Sequence, residues 1–204
     1  MDISPLPDLS LERAFSTGGR LVCGIDEVGR GPWAGPVVAA AVILDPGAIP
    51  EGIDDSKRLK PEQREVLHDA LLAVARVGVG RASVAEIDTM NILQASFLAM
   101  RRAVAALGVR PGFALVDGAA RPPGLPCRCE AVVGGDARAL SVAAASIVAK
   151  VTRDRIMVAL AQHFPGYAWE RNMGYGTRDH AEGLTRHGVT QHHRRGFRPV
   201  HKML

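Results

Sequence analysis

Only three cysteines occur among the 204 residues, at positions 23, 127 and 129. An odd number gives no disulfide framework, and Cys127 and Cys129 lack the two-residue gap of a zinc knuckle. A chain of this length buries about 70% of its unfolded surface, so neither bridges nor structural metal are needed to hold a core. A reducing cytosol is the expected compartment. Aromatic residues make up 4% of the chain, too few for a single-strand binder built on stacked aromatic platforms. Long apolar runs are missing as well. The longest, Trp33 to Leu44, has 12 residues interrupted by Gly35 and Pro36, against the roughly 18 needed to cross a bilayer. No membrane span is expected. The opening Met-Asp-Ile-Ser-Pro places an acid where a secretory signal carries its basic segment, so the mature chain is expected to begin here.

Charge is unevenly spread. The formal total is +4. From Arg171 onward there are seven basic residues (Arg171, Arg178, Arg186, Arg194, Arg195, Arg198, Lys202) against Asp179 and Glu182, a local +5, which leaves the first 170 residues at −1. A weakly acidic body with a basic, histidine-rich end points to a polyanionic partner, most simply nucleic acid. The alternative is a solvated basic terminus. The histidines at 180, 187, 192, 193 and 201 are too irregularly spaced for a zinc module and are expected mainly on the surface.

There is no internal repeat, and the one low-complexity stretch, Arg121 to Pro126, is expected to be a surface loop. Arg20 to Val28 and Val37 to Leu44 are β-rich segments separated by a Gly/Pro-rich stretch, expected to pair antiparallel. Pro61 opens a helix with Leu67, Ala70, Leu71 and Val74 on one face, and Val77 to Val84 is expected as a third strand. Ser83 and Glu86 match a capping box for a second helix whose stripe of Leu93, Phe97, Met100, Val104 and Leu107 ends at Gly108. Phe113 to Val116 and Glu130 to Val133 look like short buried strands. An Ala-rich helix follows from about Ala139 to His163, stopped by Pro165, its small residues suited to close packing on a sheet. The pattern predicts an α/β fold with a mixed sheet flanked by helices.

The chemistry lies in Gly24-Ile25-Asp26-Glu27-Val28-Gly29-Arg30-Gly31. Two acids inside an apolar strand must be neutralised, hydrogen-bonded or bound to a cation. Asp117 repeats this at the end of another apolar strand, and Asp136 after a shorter one. Singly, Asp117 or Asp136 could be a turn cap; as a set, acids at strand ends are where an open α/β sheet builds its site. All-oxygen ligation suits magnesium or manganese. Adjacent strand residues point to opposite faces, so Asp26 and Glu27 need a bulge or a backbone carbonyl ligand to serve one site, and strand irregularity is expected from Asp26 to Gly29. The glycines of Gly29-Arg30-Gly31 let backbone groups approach a ligand closely, while Arg30 can bridge a phosphate or brace the loop.

From about Leu21 to its end, the chain resembles type 2 ribonuclease H, the bacterial ribonuclease HII family. The resemblance rests on residues 24 to 31, Gly-Pro-Val-Val-Ala-Ala-Ala-Val at 35 to 42, Asp55-Ser56-Lys57, Val116-Asp117-Gly118 and Gly135-Asp136. It continues through Ala-Ala-Ala-Ser-Ile-Val-Ala-Lys-Val at 143 to 151, Gly174-Tyr175-Gly176-Thr177 and His193-Arg194-Arg195. It implies a ribonuclease H-like fold and endonucleolytic cleavage of RNA in RNA/DNA hybrids and at single ribonucleotides in duplex DNA, leaving 5′-phosphate and 3′-hydroxyl ends.

By the same resemblance Asp26, Glu27 and Asp117 are the metal-binding catalytic carboxylates, joined by Asp136, with Mn2+ or Mg2+ as cofactor. Gly29, Arg30 and Gly31 with Tyr175 would read the ribose 2′-hydroxyl, the group that marks a lone ribonucleotide among DNA sugars. Lys57 and Lys150 look like backbone-phosphate contacts, with Ser56 as a hydroxyl donor. Two departures stand out: Met173 replaces a lysine common before Gly-Tyr, and Ala139 a serine common after the Asp136 motif. One domain is expected over 18–204, a catalytic core to about 164 and a basic helical and loop extension beyond, with 1–17 as a tail. A single copy is the expected unit. Two rivals are a non-catalytic duplex binder, which has no use for acids beside its substrate, and a metal nuclease for DNA junctions or ends.

Overall fold

Every residue of β2 (Val37–Ile43) is buried, the mark of a strand covered on both faces. It lies second in a five-stranded sheet of order β3-β2-β1-β4-β5, with β1 at Val22–Val28, β3 at Arg76–Ala82, β4 at Phe113–Asp117 and β5 at Arg128–Val132. The computed structural model describes residues 6–204; the expectation for residues 1–5 lies outside the described residues. The first two strands pair antiparallel, as expected, and β3 pairs antiparallel with β2, whereas β1, β4 and β5 are parallel. The mixed sheet is therefore borne out, and the carboxyl ends of three parallel strands share one edge.

Helix α5 (Leu140–His163) covers one face. Ala143, Ala144, Ala145 and Ala149 are fully buried there and let the helix axis approach the strands. On the other face, α4 (Ile92–Ala105) packs through Phe97, Met100 and Val104. Helix α2 (Pro61–Val74) begins at Pro61 and buries Leu67 and Leu71 against α5.

The expected single helix after Ser83 is two. The capping box forms, with Ser83 Oγ accepting from Glu86 N–H and Glu86 returning to Ser83 N–H, but α3 (Val84–Met90) stops at Asn91. Asn91 takes a left-handed φ of 73° and its side chain accepts from the N–H groups of Leu93 and Gln94, starting α4 anew. An asparagine tolerates this conformation and caps the next helix in one step.

The described part of the expected tail carries a helix, α1 (Ser10–Phe15). Phe15 stacks on Phe113 at 4.2 Å, and Glu12 Oε1 accepts from Ser141 N–H at 2.7 Å, placing an acid at the amino end of α5 where the dipole favours it. After α5 come α6 (Trp169–Asn172), α7 (Arg178–His187) and α8 (Arg198–His201), the expected helical extension. No helix among the described residues is long and apolar enough to cross a membrane.

Candidate active site

The register places the acids. Ile25 of β1 lies beside Val116 of β4, and both face α4. The next residues, Asp26 and Asp117, therefore turn together toward α5 at the carboxyl edge of the sheet. Asp136 follows β5 on a short 3-10 turn, Gly135–Ala137. Asp117 Oδ1 accepts from Gly135 N–H at 2.7 Å, tying the second strand end to that turn.

The irregular strand expected at Asp26 to Gly29 is not found. β1 pairs with β2 one residue to one residue from Gly24–Val42 to Val28–Val38, and the backbone first departs at Gly29, with φ 93°. A bulge favours sheet edges, whereas β1 is central. The two acids still share one site, because the cleft lies across the end of β1. Asp26, Glu27 and Asp117 line a cavity of about 280 Å³ together with Ser56, Lys57, Arg64, Ser146, Lys150 and Tyr175.

Burial, then the charges of Asp117 and Glu27, push the Asp26 carboxyl well above the usual carboxylate range. Glu27 is raised chiefly by burial, against the pull of Arg30, which donates to it at 3.3 Å. Asp117 is raised by burial and by Asp136, while the Gly135 N–H opposes. Such a set resists full ionisation until a cation neutralises it. Lys57 donates to buried Asp136 at 2.7 Å; burial draws the lysine pKa down, but the Asp136 bond and charge outweigh this and leave it raised.

Among the described residues, no three carboxylate, imidazole or thiol groups stand close enough to hold one ion as they are. The donor set nevertheless fits a hard divalent cation. It is all oxygen, its members repel one another, and Glu27 Oε2 is buried with no hydrogen-bond partner. Asp26, Glu27 and Asp117 are the residues that would hold such an ion.

The cleft wall comes from three places. Ser56 is buried, its hydroxyl 2.8 Å from that of Ser146, and the Ser146 hydroxyl beside Asp26 partly offsets the rise in its pKa. Lys150 lines the cleft but is paired with Asp154. Arg64 donates to the carbonyls of Ser56 and Leu59, holding that loop in place. Tyr175 is 46% exposed at the rim, and a Cβ on Gly31 would stand 3.6 Å from its ring. The Gly29–Gly31 loop and Tyr175 are thus brought together; Asp26, Glu27 and Asp117 share the cleft, whereas Asp136 does not line it and is paired with Lys57. Met173 adopts a left-handed φ of 51° and Ala139 is fully buried at the start of α5.

Sequence reasoning missed Ser146, Arg64 and Arg153. Arg153, fully buried, donates to the carbonyls of Ala34, Pro36 and Met173, and Ser146, Lys150 and Arg153 recur at helical spacing along α5. The basic end is partly engaged within the fold. Arg171 pairs with Asp179 and Glu170, and Arg178 and Arg186 pair with Glu182, while Arg194 is fully buried. The +5 segment is therefore no uniform docking face.

Two of the histidines expected on the surface, His180 and His193, are buried. Trp169 Nε1–H donates to His180 Nε2 at 3.1 Å and Thr190 N–H donates to His193 Nδ1 at 3.0 Å. Those donors fix the neutral forms: His180 carries its proton on Nδ1, facing the Tyr175 carbonyl at 3.0 Å, and His193 carries its own on Nε2, facing His180 Nε2 at 3.1 Å. Burial, then His180 and His192, hold His193 down to about 4. The folded chain thus binds fewer protons than the unfolded one between roughly pH 6.5 and 4, so this group removes stability as pH falls through that window, by up to about 3 kcal/mol. Urea unfolding across the window is expected to show a flatter pH dependence for His193→Gln than for the parent; parallel curves would contradict it.

A mixed five-stranded sheet between helices, with acids gathered at the carboxyl edge of its parallel strands, defines a fold of the ribonuclease H class. The ribonuclease HII family model matches residues 23–203. The ribonuclease HII of Ruegeria pomeroyi is 60% identical over 97% of this chain and 85% of its own length. The crystal structure of ribonuclease H2 from Pyrococcus horikoshii superposes with a TM-score of 0.72 at 31% identity, covering 89% of this chain and 96% of that one. Bst-RNase HIII, solved in complex with Mn2+, has a TM-score of 0.70 at 20% identity over 93% of this chain and 71% of that one, a likeness of fold alone. The chain belongs to the ribonuclease HII family, and so to the nuclease hydrolases that act on RNA paired with DNA.

Proposed function

We propose that the chain incises duplex DNA at single embedded ribonucleotides, and cuts the RNA strand of longer hybrids, by two-metal-ion hydrolysis. The observation that carries this is the shared cleft: three mutually repelling carboxylates open onto the rim where Tyr175 meets the Gly29–Gly31 loop. Asp26, Glu27 and Asp117 would hold the ions, with Asp136 assisting from the adjacent turn. Bound there, Mg2+ or Mn2+ would supply an activated water and stabilisation of the leaving oxygen. The Mn2+ bound by Bst-RNase HIII supports that choice of ion.

The protein's own groups orient the substrate. No hydrogen-bond acceptor among the described residues engages the N–H groups of Arg30 and Gly31, and these, with the Tyr175 hydroxyl, would select the 2′-hydroxyl. Lys57 and Lys150, at the cleft wall, would meet flanking phosphates without reading sequence. Ser56 and Ser146, with hydroxyls 2.8 Å apart, would line the cleft beside Asp26.

The test is a DNA duplex with one ribonucleotide, beside an all-DNA duplex, with each metal and with chelator. Scission on the 5′ side of the ribonucleotide, leaving 5′-phosphate and 3′-hydroxyl ends and needing metal, is expected. Equal cutting of both duplexes would refute selection of the 2′-hydroxyl; metal-independent binding without scission would favour a duplex-binding module.

A further inference from the structure

Arg194 is fully buried, and among the described residues no carboxylate pairs with it. Its guanidinium is spent on backbone carbonyls: Nη2 donates to Gly29 O at 2.6 Å and to Gly35 O at 2.8 Å, Nη1 to Arg30 O at 2.9 Å and Nε to Gly35 O at 3.0 Å. Its charge also lies over the Phe197 ring, 5.2 Å from the centroid. Drawing a cation out of water to hold a surface loop is costly, and the geometry shows what is held. Both carbonyls of the Gly29-Arg30 pair are pulled inward, which fixes the peptide planes that carry the N–H groups of Arg30 and Gly31.

The preceding residue grips the opposite side of the same rim. His193 donates to His180, whose Nδ1–H reaches the Tyr175 carbonyl. The backbone joins the two grips, since Arg194 N–H donates to Trp33 O at 2.8 Å and His193 pairs with Ala34 as a β-bridge. Trp33 N–H in turn donates to Gly174 O at 2.8 Å, next to Tyr175. One dipeptide, about 160 residues from the loop in sequence, thus spans Tyr175 and the Gly29–Gly31 backbone.

We propose that His193 and Arg194 are positioning residues that set the spacing between Tyr175 and the Gly29–Gly31 loop, and through it the selection of a ribonucleotide. The inference rests on the proposed reading that these groups meet the 2′-hydroxyl. A guanidinium is suited to the task because its planar fork satisfies three carbonyls at once, which an ammonium on a flexible stem does not.

A double-mutant cycle tests it. kcat and KM are measured on the single-ribonucleotide duplex for Tyr175→Ala, Arg194→Lys, His193→Gln and each pair with Tyr175→Ala, with melting temperatures taken alongside. Arg194→Lys and His193→Gln are each expected to lose about tenfold or more in kcat/KM, mostly in kcat, and to lose less than about threefold further once Tyr175 is already alanine. Thr190→Ala, which removes a methyl group and the hydroxyl that lies 2.9 Å from His193 Nδ1 and accepts from His192 N–H at 3.2 Å, is the milder variant should the buried replacements fail to fold; a loss that vanishes in the Tyr175→Ala background is again expected. Losses that multiply in full would overturn the positioning role while leaving the 2′-hydroxyl reading intact. Tyr175→Ala with the parent's rate would instead refute that reading, and the inference with it.

Discussion

Asp26→Asn is expected to abolish cleavage and, in the same molecule, to raise the melting temperature of the metal-free protein. The carboxyl is buried beside Asp117 and Glu27, and all three of these acids are raised. A folded pKa above the unfolded one means that the ionised group opposes folding. Its stability contribution is fullest in acid and is lost as pH rises through the folded pKa. Asparagine removes that charge and keeps the Oδ1 acceptor that Glu27 N–H uses at 2.7 Å. Relief of about 1 to 2 kcal/mol, equal to some 2 to 8 °C in a chain of this size, should be larger at pH 8 than at pH 5. Cleavage should fall about 1,000-fold or more, since several kcal/mol of transition-state charge stabilisation goes with a lost metal ligand. Adding divalent cation should close the thermal gap, because the parent alone gains from binding it. Thermal unfolding at the two pH values, with and without metal, checks this. A lower melting temperature for Asp26→Asn, or cleavage within tenfold of the parent, would contradict it.

That trade, stability given up to keep acids together, is why the site was legible before the fold was known. Asp26 and Glu27 stand out because an apolar strand has no local use for them, and Asp117 stands out at the end of another. Period-two and period-3.6 patterns likewise located the strands and long helices, since each buries a face and burial writes itself into the spacing. What stayed hidden was settled by partners remote in sequence. Arg194 counted as one more surface charge because a lone cation defaults to solvent, and nothing near it in the chain names the carbonyls of Gly29, Arg30 and Gly35 as its acceptors. His180 and His193 are the exceptions to the mainly exposed histidines for the same reason: each is satisfied by the other and by Trp169 and Thr190.

Other misses were local and of a different kind. The break at Asn91 hangs on one left-handed φ, which a polar residue on a helix face does not announce. β1 stays regular because the site lies across the end of the strand, where the alternation of side chains does not keep Asp26 and Glu27 apart. The ion pairs that occupy Arg178 and Arg186 were readable at i,i+4 spacing around Glu182, and a net charge of +5 conceals them.

Gly24→Ala is expected to be among the most damaging small changes outside the cleft. A Cβ there would stand 2.1 Å from the Ser141 carbonyl carbon and 2.3 Å from Val142 N, both backbone atoms in the first turn of α5, so no side-chain rotation relieves the clash. β1 is hydrogen-bonded on both sides and α5 is pinned at the same place by Glu12, so neither element is free to withdraw. Overpacking commonly costs 1 to 3 kcal/mol where neighbours yield; here the loss should exceed about 3 kcal/mol, lowering the melting temperature by roughly 6 °C or more. Any shift of α5 also carries Ser146 away from Asp26 and Lys150 away from the cleft, so the folded remainder should cleave more slowly as well. Gly47→Ala, where a Cβ meets nothing nearer than the Asp45 carboxylate at 3.5 Å, is the matched control and should melt within about 2 °C of the parent. Thermal unfolding of the two variants side by side decides it. A Gly24→Ala protein that melts with the control would mean that α5 does not rest on the β1 backbone, and the placement of Ser146 beside Asp26 would fall with that contact.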